Sequence, residues 1–275
     1  MDHPIDIAGQ ARLAMDERGP VRASLRLEKK IGASKLVQRI SLCAGSRRLE
    51  FETQVDWVER QRLLKVAFPV AINAAFATYD IAYGNMPRPT HRNTSYDRAK
   101  FEVPAHQWMD LSQGDYGVSV LNDCKYGCDV LGQTMRLTLL KGSVFPDPKA
   151  DIETHRFTYA LYPHAGDWRT GQTIPEAMTL NHPALVRPVR ARSVKITDGE
   201  SLFIGTAPNL TLEAVKRSED GKHLIVRLVE RHNAATTAEL VFPRPIKSAW
   251  SCNLMEKIEQ RLAVDGCRVK FSAKP

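Results

Sequence analysis

Leu49-Glu50-Phe51-Glu52-Thr53-Gln54-Val55-Asp56-Trp57 decides how the whole chain is read. Apolar or aromatic residues stand at 49, 51, 55 and 57 with polar ones between them. This is the period of two that a strand with one buried face requires and a helix cannot satisfy. Upstream, Val21-Arg22-Ala23-Ser24-Leu25-Arg26-Leu27-Glu28 and Leu36-Val37-Gln38-Arg39-Ile40-Ser41-Leu42 keep the same period. Gly32-Ala33-Ser34 between them predicts a hairpin, and Gly45-Ser46 turns the chain again.

Downstream, stretches 63–70 and 75–84 each fit a strand. Residues 86–100, with Pro87, Pro89 and Asn93, break the pattern and predict a long ordered loop, a feature often tied to function. Strand signals return at 117–121, 135–140 and 155–162, and Pro146-Asp147-Pro148 marks a loop. Helices are predicted over 173–180, opened by Pro175-Glu176, and over 254–260. Strand after strand at short spacing implies an all-β sandwich or barrel. Near 183–188 the composition shifts to Pro and Arg, a linker between a domain over 1–185 and another over 186–275. In the second, stretches 202–204, 210–215, 224–229 and 238–242 read as strands of a smaller β-sandwich, with Asp220-Gly221 as a hairpin turn. The last residues, 269–275, read as mid-strand, which suggests a longer natural polypeptide.

The 275 residues are enough for a sizeable core, and 43% hydrophobic with 25% charged content is globular. No stretch approaches the roughly 20 apolar residues of a membrane span, and the N-terminus lacks a signal sequence, so a cytoplasmic protein is expected. A net charge of +8 raises a nucleic-acid partner. Lys and Arg are scattered among acidic residues in ones and twos, however, and no such partner is expected. The five cysteines are odd in number and widely spaced, which argues against a disulfide framework. Cys124 and Cys128 have a metal-pair spacing but no second pair nearby, and a structural role is expected.

Chemistry-bearing residues concentrate between Tyr83 and Lys125, continuing into the run Asn122-Asp123-Cys124-Lys125-Tyr126-Gly127 directly after an apolar strand. Neither H-x-D nor H-E-x-x-H nor a doubled C-x2-C occurs. The densest acidic and His cluster, Asp147, Asp151, Glu153 and His155, reads as a solvated turn. Trp57 falls on a core alternation, and Trp168, after Gly166-Asp167, has a loop context that favours exposure. His106 and His164 read as structural histidines.

WVERQRLLKV (57–66), RPTHRNTSYD (88–97), FEVPAHQW (101–108), YGVSVLNDCKYG (116–127), FTYALYPH (157–164) and LEAVK (212–216) together resemble the C-terminal region of glycoside hydrolase family 38 α-mannosidases. The likeness spans nearly the whole chain. It implies a large antiparallel supersandwich, galactose-mutarotase-like, followed by a smaller β-sandwich. It implies a parent enzyme that is a zinc-dependent retaining α-mannosidase acting on α-mannoside oligosaccharides, with zinc and the nucleophile in an N-terminal catalytic domain. No catalytic residue, zinc ligand or cofactor is carried over to this chain, which alone is expected to be inactive; self-association is left open. In similar proteins loops of the β-region reach the rim of the sugar pocket. By that logic His91, Arg92 and Asn93, with Asp123, Lys125 and Tyr126, are candidates for completing it, against the alternative that they satisfy one another locally. Two other functions fit less well: an autonomous carbohydrate-binding module, and a mutarotase-like sugar epimerase suggested by fold analogy alone.

Overall fold

A computed structural model describes residues 4–7, 9–186, 188, 201, 203–205 and 207–275. They fall into two compact units, Met1–Leu185 and Val186–Pro275. Arg187 of the expected linker and Leu202 of the first strand expected after it lie outside the described residues.

The first unit runs β1 (Arg12–Arg18), β2 (Arg22–Ile31), β3 (Ser34–Cys43), β4 (Leu49–Asp56), β5 (Leu63–Pro69), β6 (Phe76–Ile81), β7 (Gly84–Pro89), α1 (Ser95–Ala99), β8 (Val103–Pro104), β9 (Trp108–Ser112), β10 (Tyr116–Asn122), β11 (Gly127–Leu131), β12 (Thr134–Lys141), β13 (Thr154–Ala165) and α2 (Thr173–Asn181). A nine-stranded sheet in the order β1-β2-β3-β4-β13-β10-β9-β6-β7 faces a four-stranded sheet, β5-β12-β11-β8. The alternation of 49–57 is what joins them. Phe51 lies opposite Ile40 and Tyr159 in the large sheet and meets Phe68 of the small one with ring centroids 5.8 Å apart. Trp57, Val55, Met109, Leu111, Met135 and Leu137 fill the space between the sheets, as an all-β sandwich requires. Beyond the reach of the small sheet, the same face of β1, β2 and β3 stays open. Leu13, Met15, Leu25 and Leu42 are exposed there, forming an apolar shelf.

A second core lies on the opposite face of the large sheet. There α2 covers Trp108, Leu121, Ala160 and Tyr162 with Ile174 and Ala177. This explains why β9, Trp-Met-Asp-Leu-Ser, carries no visible alternation: both of its faces are buried. Trp168 belongs to this core. It is 4% exposed and packs 5.1 Å from Trp108. The exposure expected from its loop context is thus wrong, because the loop folds back over the sheet.

The second unit contains β14 (Ile204–Gly205), β15 (Leu210–Arg217), β16 (Leu224–Glu230), β17 (Thr236–Val241), β18 (Ala249–Cys252), β19 (Ile258–Asp265) and β20 (Arg268–Ala273). Its sheets are β14-β17-β20-β19-β18 and the pair β15-β16. Ala238, Leu240 and Val269 are its buried apolar residues.

Three local expectations need correction. The single strand over 75–84 is a hairpin, β6 and β7, turning at Tyr83 with φ of 57°. The loop over 86–100 contains the end of β7 and the turn α1. Pro87 and Pro89 are tolerated because β7 is the edge of its sheet and needs no further donors on its free side. Thr94 and Asp97 form a reciprocal capping box that starts α1. The helix over 254–260 is a turn followed by β19; Leu254 and Met255 are almost fully exposed, so no apolar face exists for a helix to bury.

Candidate functional site

The outer face of the small sheet carries a row of polar side chains, set there by the register. In β12, Met135, Leu137 and Leu139 point into the core, which leaves Arg136 and Thr138 on the other side. Asp129 is directly opposite Arg136, and Lys65 directly opposite Thr138. Asp129 is the centre of this row. Its side chain is 5% exposed, Lys65 Nζ is 2.7 Å from Oδ1, and Arg136 bonds Oδ2. Arg92 Nη2 adds a third cation at 3.9 Å. A buried carboxylate needs such partners, because its desolvation is costly unless opposite charges and donors surround it.

Lys65 also lies 3.7 Å from Glu102, whose carboxylate accepts a hydrogen bond from Thr138 Oγ1. Glu102 rests across Gly127, where any Cβ would collide with it. Beside this carboxylate opens a groove of about 560 Å³, bounded by residues 61–63, 102–104, 126–127, 138 and 141–143. One wall is held by two backbone bonds, Gln61 N to Gly142 O at 2.6 Å and Gly142 N to Arg62 O at 2.9 Å.

The six residues singled out from the sequence do not converge. Tyr126 alone lines the groove, with 55% of its surface exposed. Arg92 joins the charge cluster beside it. His91 faces Asp97 of the α1 cap at 3.8 Å, and Asn93 is exposed. Asp123 accepts a hydrogen bond from the backbone N–H of Thr158, and the Lys125 ammonium sits 4.4 Å from the Phe157 ring centroid. Both are engaged with β13. Lys65, Glu102, Asp129, Arg136 and Thr138 were not singled out. The alternation of 135–140 places Arg136 and Thr138 on one outward face, but nothing local indicates which partners they meet.

His164 is structural, as its position suggested. Its Nε2 lies 2.8 Å from Asp110 Oδ2 and 3.2 Å from Ser119 Oγ, and Ser119 Oγ lies 2.7 Å from Thr173 Oγ1. Because this network is sealed beneath α2, it offers a substrate no access. Cys124 and Cys128 do not form a pair. Cys124 is exposed, whereas Cys128 is buried with its thiol pointing to Val103 O at 3.3 Å. Burial pushes the Cys128 thiol up to about 12. Among the described residues no three His, Cys, Asp or Glu side chains come together as metal ligands. No helix among them is long and apolar enough to cross a membrane.

The first unit is thus a two-sheet β-domain with a groove of mainly apolar lining on the outer face of its small sheet, and the second a smaller β-unit. Residues 2–149 match the family described as glycosyl hydrolases family 38 C-terminal domain, and residues 209–275 match the glycosyl hydrolases family 38 C-terminal beta sandwich domain. The chain belongs to glycosyl hydrolase family 38 and represents its C-terminal region. It is 38% identical to human alpha-mannosidase 2C1 over 276 aligned positions, which cover 98% of this chain and 26% of the relative. It is 40% identical to the alpha-mannosidase of Saccharomyces cerevisiae over 174 positions, 63% of this chain and 16% of that protein. The chain thus spans about a quarter of the length of human alpha-mannosidase 2C1. The crystal structure of an alpha-mannosidase from Enterococcus faecalis superimposes with a TM-score of 0.81 at 18% identity, over 95% of this chain and 35% of that one, and shows the shared fold.

Proposed function

We propose that this chain is the β-rich scaffold of a zinc-dependent retaining α-mannosidase that hydrolyses terminal α-mannosides in the cytoplasm, and that it supports and partly lines the sugar pocket. The observation that carries this reading is the identity to alpha-mannosidase 2C1, sustained across both units of the chain. Among the described residues no set of side chains fits a zinc site. The ion and the two carboxylates of a retaining mechanism therefore belong, in this reading, to a catalytic portion elsewhere in the polypeptide, and no chemical step passes through this chain. Its contribution is rigidity. Strands joined by buried ion pairs hold loops in fixed positions, which suits side chains that must meet a sugar in one geometry. The apolar shelf on β1–β3 is of a kind that a further part of a longer polypeptide would cover. Five cysteines without a disulfide agree with a reducing compartment.

A chimaera tests the proposal. This chain replaces the matching region of human alpha-mannosidase 2C1, and hydrolysis of an aryl α-mannoside is followed with zinc present. Activity of the chimaera, with none from the 275-residue chain alone, is the expected result. Turnover by the isolated chain, or a folded but inactive chimaera, overturns the proposal.

A further inference from the structure

We infer that the groove between Glu102 and Tyr126 is a binding site for a neutral pyranose, taken here as an α-mannoside residue; the choice of sugar rests on the function proposed above. Three observations point to a ligand. First, Glu102 is fixed in place before anything binds. Thr138 donates to its carboxylate, Lys65 stands 3.7 Å away, and the missing side chain at Gly127 leaves room for it to lie flat on the sheet. A carboxylate fixed in this way can accept hydrogen bonds from two sugar hydroxyls at little entropic cost. Second, Tyr126 leaves 55% of its surface in solvent beside that acceptor. The C–H face of a pyranose packs on an aromatic ring while its hydroxyls reach polar groups around it, so an aromatic next to a fixed acceptor fits a sugar. Third, Gln61 on the groove wall has a φ of 51°, a left-handed conformation that a non-glycine residue adopts at a cost. The backbone bond from Gln61 to Gly142 holds that conformation.

The chemistry also limits the ligand. Arg62 and Lys141 line the groove alongside Glu102, so the walls carry both signs of charge. Glu102 offers an acceptor to a hydroxyl, the mainly apolar lining suits the C–H face of a ring, and Arg62 and Lys141 make an anion the competing guest that the second probe tests. A volume of about 560 Å³ lies within the range of small-molecule sites, roughly 300–1,000 Å³.

The test is a titration of the 275-residue chain with methyl α-mannoside, followed by calorimetry and by amide shifts in NMR, with inorganic phosphate as a second probe. Saturable mannoside binding in the millimolar range is expected, with shifts centred on residues 61, 102 and 126. Tyr126→Ala and Glu102→Gln should each weaken it by roughly tenfold or more, while the melting temperature of Tyr126→Ala stays that of the parent. Absence of mannoside binding, binding unchanged by both substitutions, or tighter binding of phosphate overturns the inference. The chimaera separates the two readings. A chimaera that turns over while the isolated chain binds no mannoside defeats the groove and leaves the proposed function standing. An inactive chimaera with a mannoside bound in the groove does the reverse.

Discussion

The imidazole of His164 and the carboxylate of Asp110 lie 2.8 Å apart with side-chain exposures of 0% and 2%, between β13 and β9, two strands that flank β10 on either side. Ser119 on β10 is directly opposite Asp110, and its hydroxyl bonds both the carboxylate and Thr173, the first residue of α2. One buried network thus ties three strands to the helix that caps them. A polar group sealed this way is costly once its partner is removed. Asp110→Asn or His164→Ala should lower unfolding stability by about 3–5 kcal/mol, measured as a fall in the urea midpoint of the first unit. A loss below about 1 kcal/mol would mean that the pair is not what holds α2 down.

The same histidine is enclosed by glycines. A Cβ at Gly117 would overlap the His164 ring and the Ser112 hydroxyl, and one at Gly171 would overlap His164 from its other ring nitrogen. Gly117→Ala should therefore destabilise by about 1–3 kcal/mol through overpacking. Gly132→Ala makes a useful contrast: a Cβ there meets nothing, and its cost would come from the positive φ of 57° alone. Thermal melts of the two variants separate crowding from backbone strain.

Trp168 covers Trp108 and is nearly inaccessible. Trp168→Ala should cost about 3–5 kcal/mol, in line with other large aromatic truncations. Its fluorescence in the native chain should resist quenching by iodide, and quenching as free as in the unfolded chain would return Trp168 to the surface.

Cys128 and Cys124 should respond differently to a thiol reagent. Both thiols are pushed up, Cys128 to about 12 by full burial and Cys124, an exposed residue, to about 11 by partial burial of its sulfur with Asp123 beside it. Thiolate is the reactive form, so Cys128, which is also out of reach, should remain unmodified by iodoacetamide at about pH 8 until the chain unfolds. Peptide mapping after native labelling reads this directly. Modification of Cys128 in the folded chain would contradict its placement.

The α1 cap should weaken in acid. Hydrogen bonds from the Thr94 hydroxyl and backbone N–H hold the Asp97 carboxyl below its usual 3.8, and the nearby His91 adds to the effect. A depressed folded value means that the contribution is present above the unfolded carboxyl value and is lost as pH falls through the folded one. Amide exchange at residues 95–100, corrected for intrinsic rates, should lose protection below about pH 3–4, and Thr94→Ala should remove that protection at neutral pH as well. Protection that is independent of pH would show that the cap does not depend on the charge.

Much of the sandwich could be read from residues alone, for a local reason. β4 has one face against the other sheet, so burial prints itself as alternation there, and β2 and β3 continue the same apolar face onto the open shelf. The resemblance to family 38 was legible too, because it is carried by runs of consecutive residues. Where an element is buried on both faces, as β9 is, the period disappears and Trp108-Met109-Asp110-Leu111 reads as nothing in particular. The groove was half visible: Tyr126 was singled out, whereas Glu102 was passed over as one more charged residue. Lys65 and Asp129 stand 64 positions apart, and no local pattern indicates that they meet.

By itself, then, the sequence determined an all-β architecture and, through runs of consecutive residues, the family, since periodicity and motif identity are properties of neighbouring residues. Only the tertiary structure decided which polar side chains converge. It set Asp123 and Lys125 against β13, buried Trp168 under its own loop, and brought Glu102 beside Tyr126. Antiparallel register fixes which distant residues face each other, and that pairing is set by the packing of whole sheets rather than by any one strand.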